Sequence, residues 1–301
     1  MSWLTSIEQG EANGAVDVVV EPGVKDLGGF RVRRALPALQ RPMVGPFIFL
    51  DHMGPAVFDP GHGLDVRPHP HIGLATLTYL VEGAIRHRDT LGSVAGIRPG
   101  DVNLMSAGRR IAHSERTSPE LRSIGGPLHG IQSWLALRLA DEDGPPSFHH
   151  QDAADLPLMT DTGVALRLIL GRGYGARSPV LTNWDAIYGD VHLAAGRAIA
   201  LPDDHAERAV YLLDGDVIVA GDTFSGGRLL VFRPGDRITL SAATSCRLLV
   251  LGGKPIDGPR HLWWNFAHSS KDRIESAKAD WRSGKFGVAP GDAQECIPLP
   301  V

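Results

Sequence analysis

The pentapeptide Tyr79-Leu-Val-Glu-Gly83 returns 132 residues later as Tyr211-Leu-Leu-Asp-Gly215. Downstream, Ile97-Arg-Pro-Gly-Asp101 matches Phe232-Arg-Pro-Gly-Asp236 and Ser106-Ala107 matches Ser241-Ala242, now 135 residues apart, which places a three-residue insertion in the hairpin between. Self-similarity at this period means two copies of one domain plan, and 301 residues hold two domains of ordinary size. Each copy reads as β. Short apolar runs such as Phe47-Ile-Phe-Leu50, Leu74–Val81, Ile131–Leu139, Val164–Leu170, Ala209–Val219 and Cys246–Leu251 are bounded by Gly, Pro or Asp, and 36 Gly and 22 Pro supply the many turns such a pattern needs. The polar stretch Ala140–Ser147 contains Gly144-Pro-Pro146 and is the natural linker, giving expected domains of 1–140 and 141–301. One helix is expected, a C-terminal appendage. It starts near Ser269, with Ser269 and Asp272 at capping-box spacing, and places Ile274, Ala277 and Trp281 on one face before Gly284.

A formal net charge of −4 lacks the basic excess of a nucleic-acid binder. The N-terminal stretch carries Glu8 and Glu11 where a signal peptide needs a long apolar run, and no run of 18 apolar residues occurs, so a soluble, cytoplasmic protein is expected, read as a monomer. Cys246 and Cys296 are too few for a disulfide framework and read as free thiols.

Chemistry concentrates in the first copy. In a strand, alternate side chains share a face, so His69-Pro-His71 aims two imidazoles one way, and His113-Ser-Glu115 does the same for an imidazole and a carboxylate. Two such strands face to face make a four-ligand, all-N/O metal site, which suits iron, manganese, copper, nickel or zinc. The repeat offers an internal control: the same offsets carry His69 to Leu201, His71 to Asp203, His113 to Leu248 and Glu115 to Val250. The second copy has lost the set, which favours chemistry over architecture. There His205-Ala-Glu207 has the right spacing but no facing pair. His52, His62, His87, His149, His150 and His192 also lack a partner at ligand spacing and read as ordinary histidines. Arg86, His87, Arg88 and Asp89 read as a solvated hairpin tip, Gln132 as a pocket candidate, and Trp134 as core.

Gly63-Leu-Asp-Val-Arg-Pro-His69-Pro-His71 and the segment Gly100–His113 resemble the two cupin motifs. Within that superfamily, the stretches His69–Gly83, Met105–Glu115, Leu128-His-Gly-Ile-Gln-Ser-Trp134 and Trp281-Arg-Ser-Gly-Lys-Phe-Gly287 resemble the signatures of the pirin family. The resemblance implies an all-β bicupin, two tandem jelly-roll barrels, with one divalent metal ion, most often Fe(II), held by His69, His71, His113 and Glu115. It implies either a quercetin 2,3-dioxygenase taking a flavonoid and O2, with Glu115 as ligand or catalytic proton acceptor, or an iron-dependent, redox-sensing regulator that binds a transcription factor or metabolic enzyme. An isomerase or another oxygenase is the third class. Ala75 and Ile72 stand where many pirins have glutamate and arginine, and their position beside the HxH motif implies altered pocket polarity.

Overall fold

The structure, a computed structural model, describes residues 14–26 and 30–300. Contacts divide the chain into two compact units, neither of which is a single run of sequence. One takes Val24–Val32, Phe49–Ala153 and Ile256–Val301 as far as these are described, and the other takes residues up to Gly23, Arg33–Ile48 and Ala154–Pro255. This is not a cut between residues 140 and 141. The strand Ser147–Gln151 completes an edge of the first unit by pairing with Val102–Ser106, and the described residues from Ile256 onward join that unit as well.

In the first unit, β1 (Asp65–His71), β6 (Ile111–Arg116), β3 (Ile85–Asp89) and β4 (Val94–Ile97) form a four-stranded sheet in that order. The larger sheet runs Ser147–Gln151, β5 (Val102–Ser106), β2 (Leu74–Glu82), β7 (Gly126–Ala136), then Phe47–Phe58. Leu80 and Leu128 from the large sheet and Ile85 and Ile97 from the small one meet in a shared core, each 2% exposed or less. This is the two-layer arrangement of a jelly roll. A six-residue helix, α1 (Pro119–Ile124), interrupts the path to β7; Ser118 caps it and Pro119 opens it, a start signal present in the sequence and passed over.

The second unit repeats the plan. Its small sheet is β9 (Ala198–Ala200), β14 (Thr239–Ala242), β11 (Asp216–Val219) and β12 (Asp222–Ser225). Its large sheet includes β13 (Leu229–Phe232), β10 (Glu207–Asp214), β15 (Cys246–Gly253) and β8 (Ala186–Leu193), in that order. Topology corrects the downstream half of the sequence repeat. Arg98-Pro-Gly-Asp101 joins β4 to β5, whereas Arg233-Pro-Gly-Asp236 follows β13 and leads to β14, one corner later. The tetrapeptide recurs because it makes a turn, with Gly100 and Gly235 at φ of 86° and 84°, not because the corners correspond. Leu248 and Val250 therefore lie on β15, the counterpart of β7. The register places Ile238 and Leu240 opposite Leu201 and Val219, where the first unit has His113 and Glu115 opposite His69 and His87. All four of these second-unit residues belong to one apolar core.

The helix α2 spans Lys271–Arg282, and its cap is Ser270, which accepts from the Arg273 N–H. Ser269 is unavailable for capping because Glu142 holds both its hydroxyl and its N–H.

Candidate metal centre

β1 and β6 run antiparallel with His113 directly opposite His69 and Ile111 opposite His71, and the register shifts between His113 and Glu115. Alternation then turns His69, His71, His113 and Glu115 inward, each 7% exposed or less. The ring centroids of His69, His71 and His113 lie 4.4–5.0 Å apart, and one nitrogen from each falls within 4.8 Å of the others. Nε2 of His71 and Nε2 of His113 are 3.1 Å apart.

The opposite ring nitrogens are engaged. Nδ1 of His69 is 2.8 Å from the Arg67 carbonyl oxygen and Nδ1 of His71 is 3.1 Å from that of Asn265. A carbonyl can only accept, so both Nδ1 atoms carry hydrogen and both Nε2 atoms present lone pairs. The third, Nδ1 of His113, faces Nδ1 of His87 at 3.4 Å. The Asn265 contact depends on Gly73: at φ 65°, a Cβ there would stand 1.8 Å from the Ala267 carbonyl oxygen, so only glycine admits β16 (Phe266–His268) this close to His71. Behind β1 and β6, Ile72 and Ala112 point away from the site and pack against Phe266, Ile274, Ala277 and Phe286. The expected appendage is thus a buttress.

Glu115 reaches the same pocket from its other side. Its Oε1 lies 2.8 Å from the Thr78 hydroxyl, which lies 2.7 Å from the Gln132 side-chain amide. A hydroxyl has one hydrogen, so either the Gln132 amide presents its NH2 to Thr78, which donates to Glu115, or a protonated Glu115 donates to Thr78, which donates to Gln132. Within 4.8 Å, Glu115 groups with His113 and His87 rather than with all three predicted histidines. His87 is accordingly no solvated tip. β3 alternates, so Ile85, His87 and Asp89 face in while Arg86 and Arg88 face out, and His87 and Asp89 are 2% and 0% exposed. Trp134 is no plain core residue, since its ring meets the His71 ring edge-on at 5.3 Å and stacks on Phe49 at 3.9 Å. Ile72 lies behind the site, and Ala75 sits on the face of β2 opposite Thr76 and Thr78, so neither departure alters the pocket.

Burial dominates the electrostatics. It pushes His69 down to about 4, against the help of the Arg67 carbonyl, and holds His71 and His113 well below the usual imidazole range. Burial also raises Glu115, opposed by His87 and the Thr78 hydrogen bond. The Nε2 lone pair of His71 meets Nε2 of His113 at 3.1 Å, a contact that either a hydrogen on His113 Nε2 or a cation between the two nitrogens relieves. The donor set fits a transition metal of borderline softness.

The sequence model of the pirin family matches residues 29–135, and that of the pirin C-terminal cupin domain matches 188–287. The chain belongs to the pirin family. A pirin-like protein of Caulobacter vibrioides is 48% identical over 288 residues, covering 95% of this chain and 99% of that one. A Pseudomonas aeruginosa relative provisionally named a quercetin 2,3-dioxygenase is 40% identical over 271 residues, covering 89% and 84%. The crystal structure of quercetin 2,3-dioxygenase from Acinetobacter baumannii superposes with a TM-score of 0.87 at 32% identity, over 94% of this chain and 95% of that one. The bicupin expectation is met.

Elsewhere in this pirin several other histidines have partners of their own. His52 and His129 pair through their Nε2 atoms at 2.7 Å, and Nδ1 of His150 is 2.7 Å from the Asn103 side-chain oxygen. His205 bonds the Arg172 carbonyl, while Glu207 accepts from Gly45 N–H and pairs with Arg41, so the second unit's HxE is divided between separate tasks. A cavity of about 540 Å³ opens among Phe58, Ile85, Arg86, Ile97, Leu121 and Leu128; its lining includes none of the four predicted ligands. No helix among the described residues is long and apolar enough to cross a membrane.

Proposed function

We propose that this pirin binds one divalent metal ion through His69, His71, His113 and Glu115 and acts as a dioxygenase of flavonol-like substrates. The observation that carries the reading is the convergence of three buried, neutral imidazoles whose outer nitrogens are already occupied, beside a buried carboxylate. The quercetin 2,3-dioxygenase of Acinetobacter baumannii supports the substrate class through its fold and 32% identity. Iron is the ion the family resemblance implies, and zinc, manganese, nickel and copper suit the same donors.

A metal with vacant positions supplies Lewis acidity toward a substrate hydroxyl and redox chemistry toward O2. The protein supplies the rest. Glu115, raised by burial and tethered by Thr78, accepts the flavonol hydroxyl proton, and the Thr78–Gln132 chain holds that carboxylate in one orientation. Trp134 stands beside His71 with Phe49 stacked on its ring, an aromatic neighbour for a planar ring system.

The deciding experiment loads the protein with each candidate metal and follows O2 consumption and loss of the quercetin absorption band. Turnover by the wild type and none by His69→Ala supports the proposal. A fully loaded protein that turns over no flavonol with any of the metals overturns the dioxygenase reading and directs attention to a metal-responsive regulatory role.

A further inference from the structure

His113 differs from the other two histidines in what stands behind it. His69 and His71 rest on backbone carbonyls, which fix their tautomers outright. His113 rests on another imidazole, which can accept or donate. Something must set His87 before His87 can set His113. Asp89 does so: its Oδ2 is 3.0 Å from Nε2 of His87, while its Oδ1 accepts from the N–H groups of Leu91 and Ser93 at 2.9 and 3.0 Å. A carboxylate donates nothing, so His87 carries its hydrogen on Nε2 and turns a lone pair toward His113. In turn His113 carries hydrogen on Nδ1 and frees Nε2. The ladder keeps the three groups in step, with Asp89 opposite His113 and His87 opposite Glu115, and Phe148 stacks on the His87 ring at 4.3 Å and 13°.

We infer that Asp89, acting through His87, is a positioning residue that selects the His113 tautomer able to ligate the metal. The inference rests on the metal reading above and adds two residues to it, neither of which is among the four proposed ligands. It also specifies what an isosteric change would do. In Asp89→Asn the amide oxygen stays where the Leu91 and Ser93 N–H groups point, so the NH2 must face His87. His87 then holds its hydrogen on Nδ1 and donates to His113, and His113 moves its own hydrogen to Nε2. That nitrogen now donates across 3.1 Å to His71 and no longer offers a lone pair. The metal-free protein loses nothing by the switch, because the repulsion between two facing lone pairs becomes a hydrogen bond.

The test compares wild type, Asp89→Asn, His87→Phe and the double variant. His87→Phe keeps the stack on Phe148 and removes the link. Long-range 1H–15N spectra of metal-free protein read the His113 tautomer directly, and calorimetric titration with Ni(II) and Zn(II) reads affinity. Expected are an Nδ1–H His113 in the wild type, an Nε2–H His113 in Asp89→Asn, and an affinity loss of about 10–100-fold with the metal-free Tm unchanged. In the His87→Phe background Asp89→Asn should cost no further affinity. An unchanged tautomer in Asp89→Asn overturns the inference, as does an Asp89→Asn penalty that persists without His87. Should the wild type bind neither metal, the metal reading fails, while the spectra still decide the tautomer chain.

Discussion

Glu115 carries two expectations that can be separated. As a ligand it needs its charge, and as a proton acceptor it needs its basicity and the Thr78 tether. Glu115→Gln keeps the shape and one oxygen donor, so flavonol turnover should fall by more than metal content does; equal losses would leave it a ligand only. The histidines give a prediction for the metal-free protein. An unfolded histidine protonates near 6.5 and folded His69 near 4, so between these values the unfolded state holds the proton and the folded state does not. Stability must then drop as pH falls through this window and stay level above it, by up to about 1.4 kcal/mol per pH unit for each such histidine. Glu115, raised in the fold, works the other way, but it is one group against three. Thermal melts of metal-free protein from pH 7 to 4.5 should show the decline, and His69→Ala should make it shallower, with the contributions of His71 and His113 remaining. The HxH and HxE pairs were legible because a strand's two-residue period makes sequence spacing into shared direction. His87 and Asp89 have the same spacing, but the arginines on either side of His87 disguised a buried face as a charged tip.

At the scale of elements, the segment from Asn265 through α2 shapes the site without contributing any of the four proposed ligands. Its Asn265 carbonyl fixes His71, and Ile274 and Ala277 press on the reverse of β1 and β6. Ile274→Ala should destabilise by about 2–4 kcal/mol, the cost of a buried cavity, and Gly73→Ala should do more local harm by forcing the Ala267 carbonyl away. The check is Tm alongside metal stoichiometry: Gly73→Ala is expected to lose metal affinity out of proportion to its loss of stability. The helix itself could be read from Ile274, Ala277 and Trp281 on one face. Its partner could not, because helical periodicity reveals that a face is buried and says nothing of what buries it. The cap moved by one residue for a similar reason: Glu142, remote in sequence, claims Ser269.

Across the whole molecule, the two units share a strand order and differ in what fills the same inner positions. Leu201, Val219, Ile238 and Leu240 occupy the second unit's core where the first holds His69, His87, His113 and Glu115. Metal analysis should therefore find one equivalent per chain, with anomalous scattering confined to the first unit; density beside His205 would contradict this. The repeat was legible from one pentapeptide, whereas the second match misled, since a turn motif reports local geometry and can recur at a different corner. The Asn265 contact has a further consequence, in time. It closes a loop of 194 residues onto His71, and at a synthesis rate of about 5–20 residues per second the carbonyl leaves the ribosome about 10–40 s after the imidazole it orients. Until Asn265 is made, that carbonyl cannot fix which nitrogen His71 turns inward, although the partners that set His69 and His113 are already in the chain. On the proposed metal reading, full affinity is expected only of the finished chain, and a ribosome stalled short of Asn265 should display the HxH and HxE motifs with His71 unset.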